Sequence, residues 1–161
     1  MPILTRIARH YRQQWERYKN LAALTENLLP LVENAAETVE AIGTVISERQ
    51  KLLNEIEAAR AKAEPLWQAL EQELGYLPQP LDLPKLFTAE AALEIAQMHK
   101  KIETTIRQVM ADDAKIQAAL STTIKKVQRQ MQNMHQERQA ARSYTAGQKQ
   151  SLGIFLDFKK Y

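Results

Sequence analysis

The sequence predicts an all-α protein: an antiparallel helical hairpin packed on one long C-terminal helix, three to four helices in all, with a short C-terminal tail. Three observations support this fold class. The 161 residues include only four Gly and six Pro, so there are few places where the chain can turn. Aromatic residues make up 6% of the chain, and the helix-favouring residues Ala, Leu, Glu, Gln, Lys and Arg dominate. Apolar residues recur at three- and four-residue spacing along three separate segments.

The first predicted helix covers residues 4–29. One of its faces is apolar, with side chains three or four residues apart: Ile7, Tyr11, Trp15, Tyr18 and Ala22. Pro30 lacks an amide hydrogen and disfavours helical geometry at Leu29. We therefore expect a boundary between residues 29 and 38.

The second predicted helix covers residues 38–74. Its apolar face comprises Val39, Ile42, Ile46, Leu53 and Ile56. Pro65 predicts a kink, and Gly75 is expected to end the helix, the usual role of a glycine after the last turn. Residues 76–87 contain three prolines, each without an amide donor, and are predicted to form an extended linker.

The third predicted helix, residues 89–143, is the longest, because no Gly or Pro interrupts it. It would extend about 80 Å at 1.5 Å per residue, so a hairpin of the first two helices covers only part of it. The second half is then expected to expose a line of apolar residues: Ile124, Val127, Met131 and Met134. A partner protein, a second copy or the returning tail must cover such a line.

Residues 144–161 are predicted to form a tail after the helical bundle of residues 1–143. The tail contains large apolar groups at a chain end, which usually frays. These groups are Ile154, Phe155, Leu156 and Phe158. Two interpretations stay open: the tail folds back onto the bundle as a last packing element, or it is a short linear motif that docks on another protein.

The charges are distributed unevenly along the chain. Residues 1–20 hold five basic and one acidic side chain, residues 21–114 hold eight and sixteen, and residues 115–161 hold nine and two. We interpret this pattern as attraction between basic and acidic helices that pack together, because no row of aromatic side chains accompanies the C-terminal charges. The alternative is a basic C-terminal third that meets an acidic partner or nucleic acid.

No pattern in the sequence indicates catalysis. The absence of Cys excludes disulfides, thiolate metal sites and cysteine nucleophiles. His10, His99 and His135 lie far apart, and none belongs to a zinc or di-iron motif. Asp112 and Asp113 point about 100° apart on a helix, so they do not share a site. We predict no enzymatic activity, no metal and no cofactor.

The hydropathy of the chain predicts no membrane insertion. The longest uncharged stretch, residues 116–124, has nine residues, whereas roughly 20 are needed to span a bilayer. Residues 1–6 contain no apolar leader. We therefore expect a cytoplasmic protein, with which the lack of Cys is compatible.

Several features together resemble a known family. The order of elements is a helical hairpin, a proline-rich linker, a long helix, then Tyr144 and the block Phe155-Leu156-Asp157-Phe158-Lys159-Lys160. On the second helix, Ser47-Glu48-Arg49-Gln50-Lys51-Leu52-Leu53 places Glu-Arg-Gln before paired leucines. On the third, Asp112 or Asp113 precedes a run that ends in basic residues and a tyrosine. Over most of its length the chain resembles the flagellar export chaperones of the FlgN and FliT type.

This resemblance implies a cytoplasmic type III secretion chaperone for a hook-associated or filament-cap protein, which it keeps from assembling early and delivers to the flagellar export apparatus. Carried over by position, the cargo contacts would be Ile124, Val127, Met131, Met134 and Ala141. Tyr144 would correspond to the tyrosine that docks on the export gate. Phe155, Leu156 and Asp157 would belong to the tail motif.

Two other functions stay open. A structural helical-bundle or coiled-coil protein would dimerise through the same apolar line and have no cargo. A phosphate-binding protein would use the basic C-terminal third, and its binding to nucleic acid would weaken steeply with ionic strength. We favour the chaperone, with a possible homodimer and without a nucleic-acid partner.

Overall fold

The structure, a computed structural model, describes residues 2–157, without the side chains of Ala36 and of residues 148–157. Within those residues the chain forms helices and no strand, which confirms the all-α prediction. The helices are α1 (Pro2–Glu33), α2 (Ala35–Leu74), α3 (Leu83–Leu86) and α4 (Glu90–Asp157). The chain divides into two compact units, Met1–Ala119 (unit 1) and Leu120–Tyr161 (unit 2), and α4 contributes to both.

The boundary between α1 and α2 lies at Asn34, inside the interval where the sequence predicts one. α1 nevertheless continues through Pro30, because Leu28 and Val32 are buried on either side of it. Burial of each of these side chains contributes about 1.5–3 kcal/mol, which offsets the roughly 3 kcal/mol cost of an interior proline. Thr38 still departs from helical angles (φ −124°, ψ 15°), so regular helix begins after it, close to the predicted start.

α2 also continues through a proline. Inside α2 the backbone leaves helical angles at Thr38 and not at Pro65, so the helix is not interrupted where the sequence predicts a kink. The fully buried Leu70 keeps the segment after the proline packed in the core. Gly75 ends α2 as predicted: its φ is 77°, and its amide donates to the Glu71 carbonyl at 2.8 Å.

The connection between α2 and α4 is not extended throughout. α3 is a single helical turn that contains Pro84, and it ends where the Phe87 amide donates to the Leu83 carbonyl at 2.9 Å. Proline is tolerated in a first turn, where its missing amide would have no partner. Leu83 is fully buried, so a packed helical turn replaces part of the extended linker predicted for residues 76–87.

Unit 1 has its core where α1, α2 and the first part of α4 meet. One apolar cluster includes Leu4, Ile7, Leu70, Leu83 and Ile95. A second joins Leu21 of α1, Ile56 of α2 and Val109 of α4. From the first cluster to the second, the residue number increases along α1 and α4 but decreases along α2. α2 therefore runs antiparallel to α1, and this hairpin packs on the long helix as predicted.

An ion pair joins α2 to α4 inside unit 1. The Nη2 atom of Arg49 lies 2.8 Å and 3.0 Å from the two carboxylate oxygens of Asp113. The neighbouring Asp112 instead accepts hydrogen bonds from the side chain of Gln108 at 3.1 Å and 3.0 Å and pairs with Lys115 at 3.3 Å. The two adjacent carboxylates thus have separate partners, as their angular separation predicts.

α4 is longer than the sequence predicts. Instead of ending at residue 143, the helix continues to Asp157, so the backbone of residues 144–157, which the sequence assigns to the tail, is helical. Gly147 costs only about 1 kcal/mol relative to Ala inside a helix. Its neighbours are helix-favouring residues, and no proline follows Pro84. The rest of the predicted tail, residues 158–161, lies outside the described residues.

Candidate functional site

Four large apolar side chains are exposed along one side of α4 in unit 2. The exposed fractions are 55% for Ile124, 47% for Val127, 66% for Met131 and 51% for Met134. Their spacing of three, four and three residues places them within about 80° of one another around the helix. We call these four residues the apolar row.

In unit 1, the same helix buries a line of apolar side chains against the hairpin, although Leu93 and Met110 are exposed. Ile102, Val109 and Ile116 recur every seven residues and are 9%, 7% and 4% exposed. The hairpin helices α1 and α2 have 32 and 40 residues, whereas α4 has 68. The exposure that these unequal lengths predict for the second half of α4 is found at the apolar row.

The apolar row is narrow. The residues that flank it around the helix are polar: Thr123, Gln128, Gln130 and His135. About two positions in seven are therefore apolar, which is typical of the seam between two packed helices, whereas a helix on a globular core has a broader apolar face. The row is suited to contact one further helix.

Among the described side chains, the basic groups of residues 120–147 lack acidic partners. Residues 120–147 hold five basic side chains and one acidic one, Glu137. Among the side chains that the structure describes, every ion pair joins two residues of unit 1. The internal attraction that the charge pattern predicts for the basic C-terminal third is therefore not found for residues 120–147.

Four of the five basic side chains of residues 120–147 line two separate depressions on the surface of α4. One is lined by Met131, Gln132, Met134, His135, Gln136 and Arg138. The other is lined by Thr122, Lys125, Lys126, Arg129, Gln130 and Asn133. Arg138 therefore lies beside the apolar row, whereas Lys125, Lys126 and Arg129 line the other depression.

The remaining site residues predicted from the sequence do not join the row. Ala141 is exposed and lies about 60° around the helix from the centre of the row. Tyr144 is 71% exposed and lies about 120° from that centre. Phe155, Leu156 and Asp157 have a helical backbone, but their side chains lie outside the described part of the chain.

A second set of exposed apolar side chains lies on α2. Val39, Ile46 and Leu53 are 69%, 49% and 40% exposed, although the sequence assigned them to the buried face of this helix. Of that predicted face Ile56 is buried, and Ala63 and Leu70, at seven-residue spacing from it, are buried as well. α2 thus carries two neighbouring apolar lines, each with residues at multiples of seven. Spacing alone does not tell which of the two lines meets the core.

An aromatic and polar layer lies near Tyr11 in unit 1. The Tyr11 ring centroid is 6.3 Å from that of Trp67 and 6.1 Å from that of His99, beside a cleft of about 820 Å³. Burial raises the pKa of Tyr11 to about 12. Burial, and secondly the charge of Arg17, lower the pKa of His10.

Among the described residues, no three His, Cys, Asp or Glu side chains are grouped to hold a metal ion.

In the part of the chain that the structure describes, no helix has an apolar stretch of the length and hydropathy that crossing a bilayer requires. No family model, curated protein or solved structure matches the chain. The fold and the surface of α4 define the class of protein: a helical bundle whose longest helix carries a narrow, unpartnered packing surface.

Proposed function

We propose that this protein is a chaperone that binds a helix of another protein through the apolar row of α4. The observation that carries this proposal is the exposure of four large apolar side chains on a narrow line with polar flanks. Contiguous apolar surface of this kind usually marks a site of interaction. A line about two positions wide in every seven is best covered by one amphipathic helix.

The partner that we propose is a hook-associated or filament-cap protein, bound in the cytoplasm before type III secretion. This choice depends on the resemblance to the flagellar export chaperones of the FlgN and FliT type. A cargo helix held on the apolar row is unable to contact its own assembly partners. Binding would therefore prevent premature assembly, and release at the export apparatus would restore it.

The position of Tyr144 supports a second contact made at the same time. Its side chain is 71% exposed, on a side of α4 about 120° from the centre of the row. A cargo helix on the row leaves that side accessible. The export apparatus would then recognise Tyr144 on the chaperone with its cargo still bound.

Calorimetric titration of the full chain with each hook-associated and filament-cap protein of the same cell tests this proposal. Met131→Asp/Met134→Asp places two charges on the row, and Asn133→Asp/Ala140→Asp places the same two charges about 140° and 160° around the helix from its centre, outside the depression that the two methionines line. One axial protein should bind the unaltered chain and the control equally. The row variant should lose at least about 100-fold in affinity, since each methionine contributes about 1.5 kcal/mol or more when fully buried. Equal binding by the row variant, or no binding of any axial protein, would contradict the proposal.

A structural homodimer is the second candidate, because the row is flanked by uncharged Gln128 and Gln130, which do not repel a second copy. Sedimentation at increasing protein concentration tests it. A dimer that Met131→Asp/Met134→Asp abolishes, in a chain that binds no axial protein, would replace the chaperone proposal.

A further inference from the structure

Two arginines extend the apolar row of α4. Arg138 follows Met134 by four residues, and Arg142 follows Arg138 by four. At about 100° per residue, Arg138 coincides with the centre of the row and Arg142 lies about 40° from it. Arg138 also lines the same surface depression as Met131 and Met134. A helix long enough to cover the row and the next two turns therefore covers both guanidinium groups.

The other three basic side chains of this segment lie away from the row. Lys125, Lys126 and Arg129 are about 120–180° around the helix from its centre. They line a separate depression. A helix docked on the row would not touch them, and salt at about 0.1 M screens their field beyond roughly 10 Å.

Neither Arg138 nor Arg142 has a carboxylate partner among the described side chains. Covering an unpaired guanidinium with a helix removes it from water at a high cost in free energy. The occupant of this surface must therefore supply acidic groups. The planar guanidinium forms paired, charge-assisted hydrogen bonds with a carboxylate, which makes Asp or Glu the matching side chain.

Other occupants fit these charges less well. A second copy offers one carboxylate in residues 120–147, Glu137, and a parallel pair would place each Arg138 opposite its counterpart. A helix lying on a bilayer presents Trp, Phe or Leu on a broad apolar face. Single-stranded nucleic acid stacks on aromatic side chains, and residues 120–143 contain no Phe, Trp or Tyr.

We propose that the helix recognised by α4 is an acidic amphipathic helix. Its apolar residues cover the apolar row, and its Asp or Glu side chains, one to two turns further along the contact, pair with Arg138 and Arg142. This inference depends on the proposed function, since it specifies the chemistry of the same partner. Its test uses synthetic helices and does not depend on which axial protein is bound.

Fluorescence anisotropy with two labelled peptides of about four heptads tests the proposal. Both carry Leu and Ile at the contact positions; one has Glu at all flanking positions, and the other has Gln there. The full chain should bind the Glu peptide at least about tenfold more tightly than the Gln peptide. Arg138→Gln/Arg142→Gln should reduce that preference to less than about threefold, whereas Lys125→Gln/Lys126→Gln, which removes the same charge, should preserve it.

Several results would overturn the proposal. Equal affinity for the two peptides would refute an acidic partner. If Met131→Asp/Met134→Asp then abolished the binding of both peptides, the row would still bind helices, and the proposed function would stand. If the arginine and lysine variants lost the preference for the Glu peptide equally, the preference would come from the overall positive charge of the segment and not from specific pairing with Arg138 and Arg142. Failure of both peptides to bind would refute recognition of an acidic helix. Binding of a short DNA duplex or of phosphatidylserine vesicles that only the arginine variant loses would assign these arginines to phosphate.

Discussion

The apolar row should contribute little to the stability of the bundle, in contrast with the core. Met131 and Met134 are 66% and 51% exposed, so each replacement by Ala removes only about a third to a half of the burial of a core methionine. Full burial of one methionine is worth about 1.5–3 kcal/mol, so the two partial burials together are worth about 1–2.5 kcal/mol. Ala is the better helix former, so the double variant should lose no more than about 2 kcal/mol. Leu70 is fully buried between three other helical segments, and Leu70→Ala should lose about 2–5 kcal/mol.

Guanidinium denaturation followed by tryptophan fluorescence measures these free energies of unfolding. The two tryptophans, Trp15 and Trp67, both lie in unit 1, so the signal reports on the bundle. Leu70→Ala is the control that shows the assay detects loss of core packing. A loss above about 3 kcal/mol in Met131→Ala/Met134→Ala would place the methionines in the core and refute an exposed row.

Three further predictions concern the bundle and the second half of α4. Arg49→Met should lower the free energy of unfolding by about 1–2 kcal/mol, because it leaves Asp113, 36% exposed, without its charge partner; little change in a denaturation midpoint would contradict this. The pKa of Tyr11 is raised to about 12, so the folded chain retains this proton where the unfolded chain has lost it, and stability should fall as pH rises from about 10 to 12. Tyr11→Phe should make that fall smaller, as measured by thermal melts, and an unchanged pH profile would argue against burial of the phenol. Amides of residues 123–147 should exchange hydrogen at least about 100-fold faster than those of residues 92–116, because the exposed apolar side chains of this stretch add little burial to the marginal stability of a helix; equal protection would contradict it.

Much of the fold follows from local sequence, but tertiary burial decides where local signals conflict. Gly75 ends α2 because a positive φ suits glycine, and this signal has no competitor. Pro30 and Pro65 are equally strong signals that do not end their helices, because buried neighbours such as Val32 and Leu70 outweigh them. A sequence pattern shows the cost of each proline but not the burial that offsets it.

The candidate site was predictable in outline because it depends on length. A helix longer than its hairpin must leave apolar residues uncovered, and the spacing of Met131 and Met134 identifies which ones. The prediction from sequence did not separate Arg138 from Lys125 and Lys126, although the 100° step of a helix already places them on different sides of α4. The exposure of Val39 on α2 required the structure, because two apolar lines at the same spacing compete for one core.

Because the chain contains no Cys, a single cysteine provides a unique site for an environment-sensitive fluorophore. The most direct test of the apolar row is the emission of this label at Met131→Cys, with Asn133→Cys as the control about 160° away around the helix, beside the other depression. In the free protein, both labels should emit as in water. Addition of the axial protein should shift the emission of the label at position 131 to shorter wavelength and leave that at 133 unchanged. A label at 131 that is already buried in the free protein, or equal shifts at both positions, would contradict a row that is open and reserved for a partner helix.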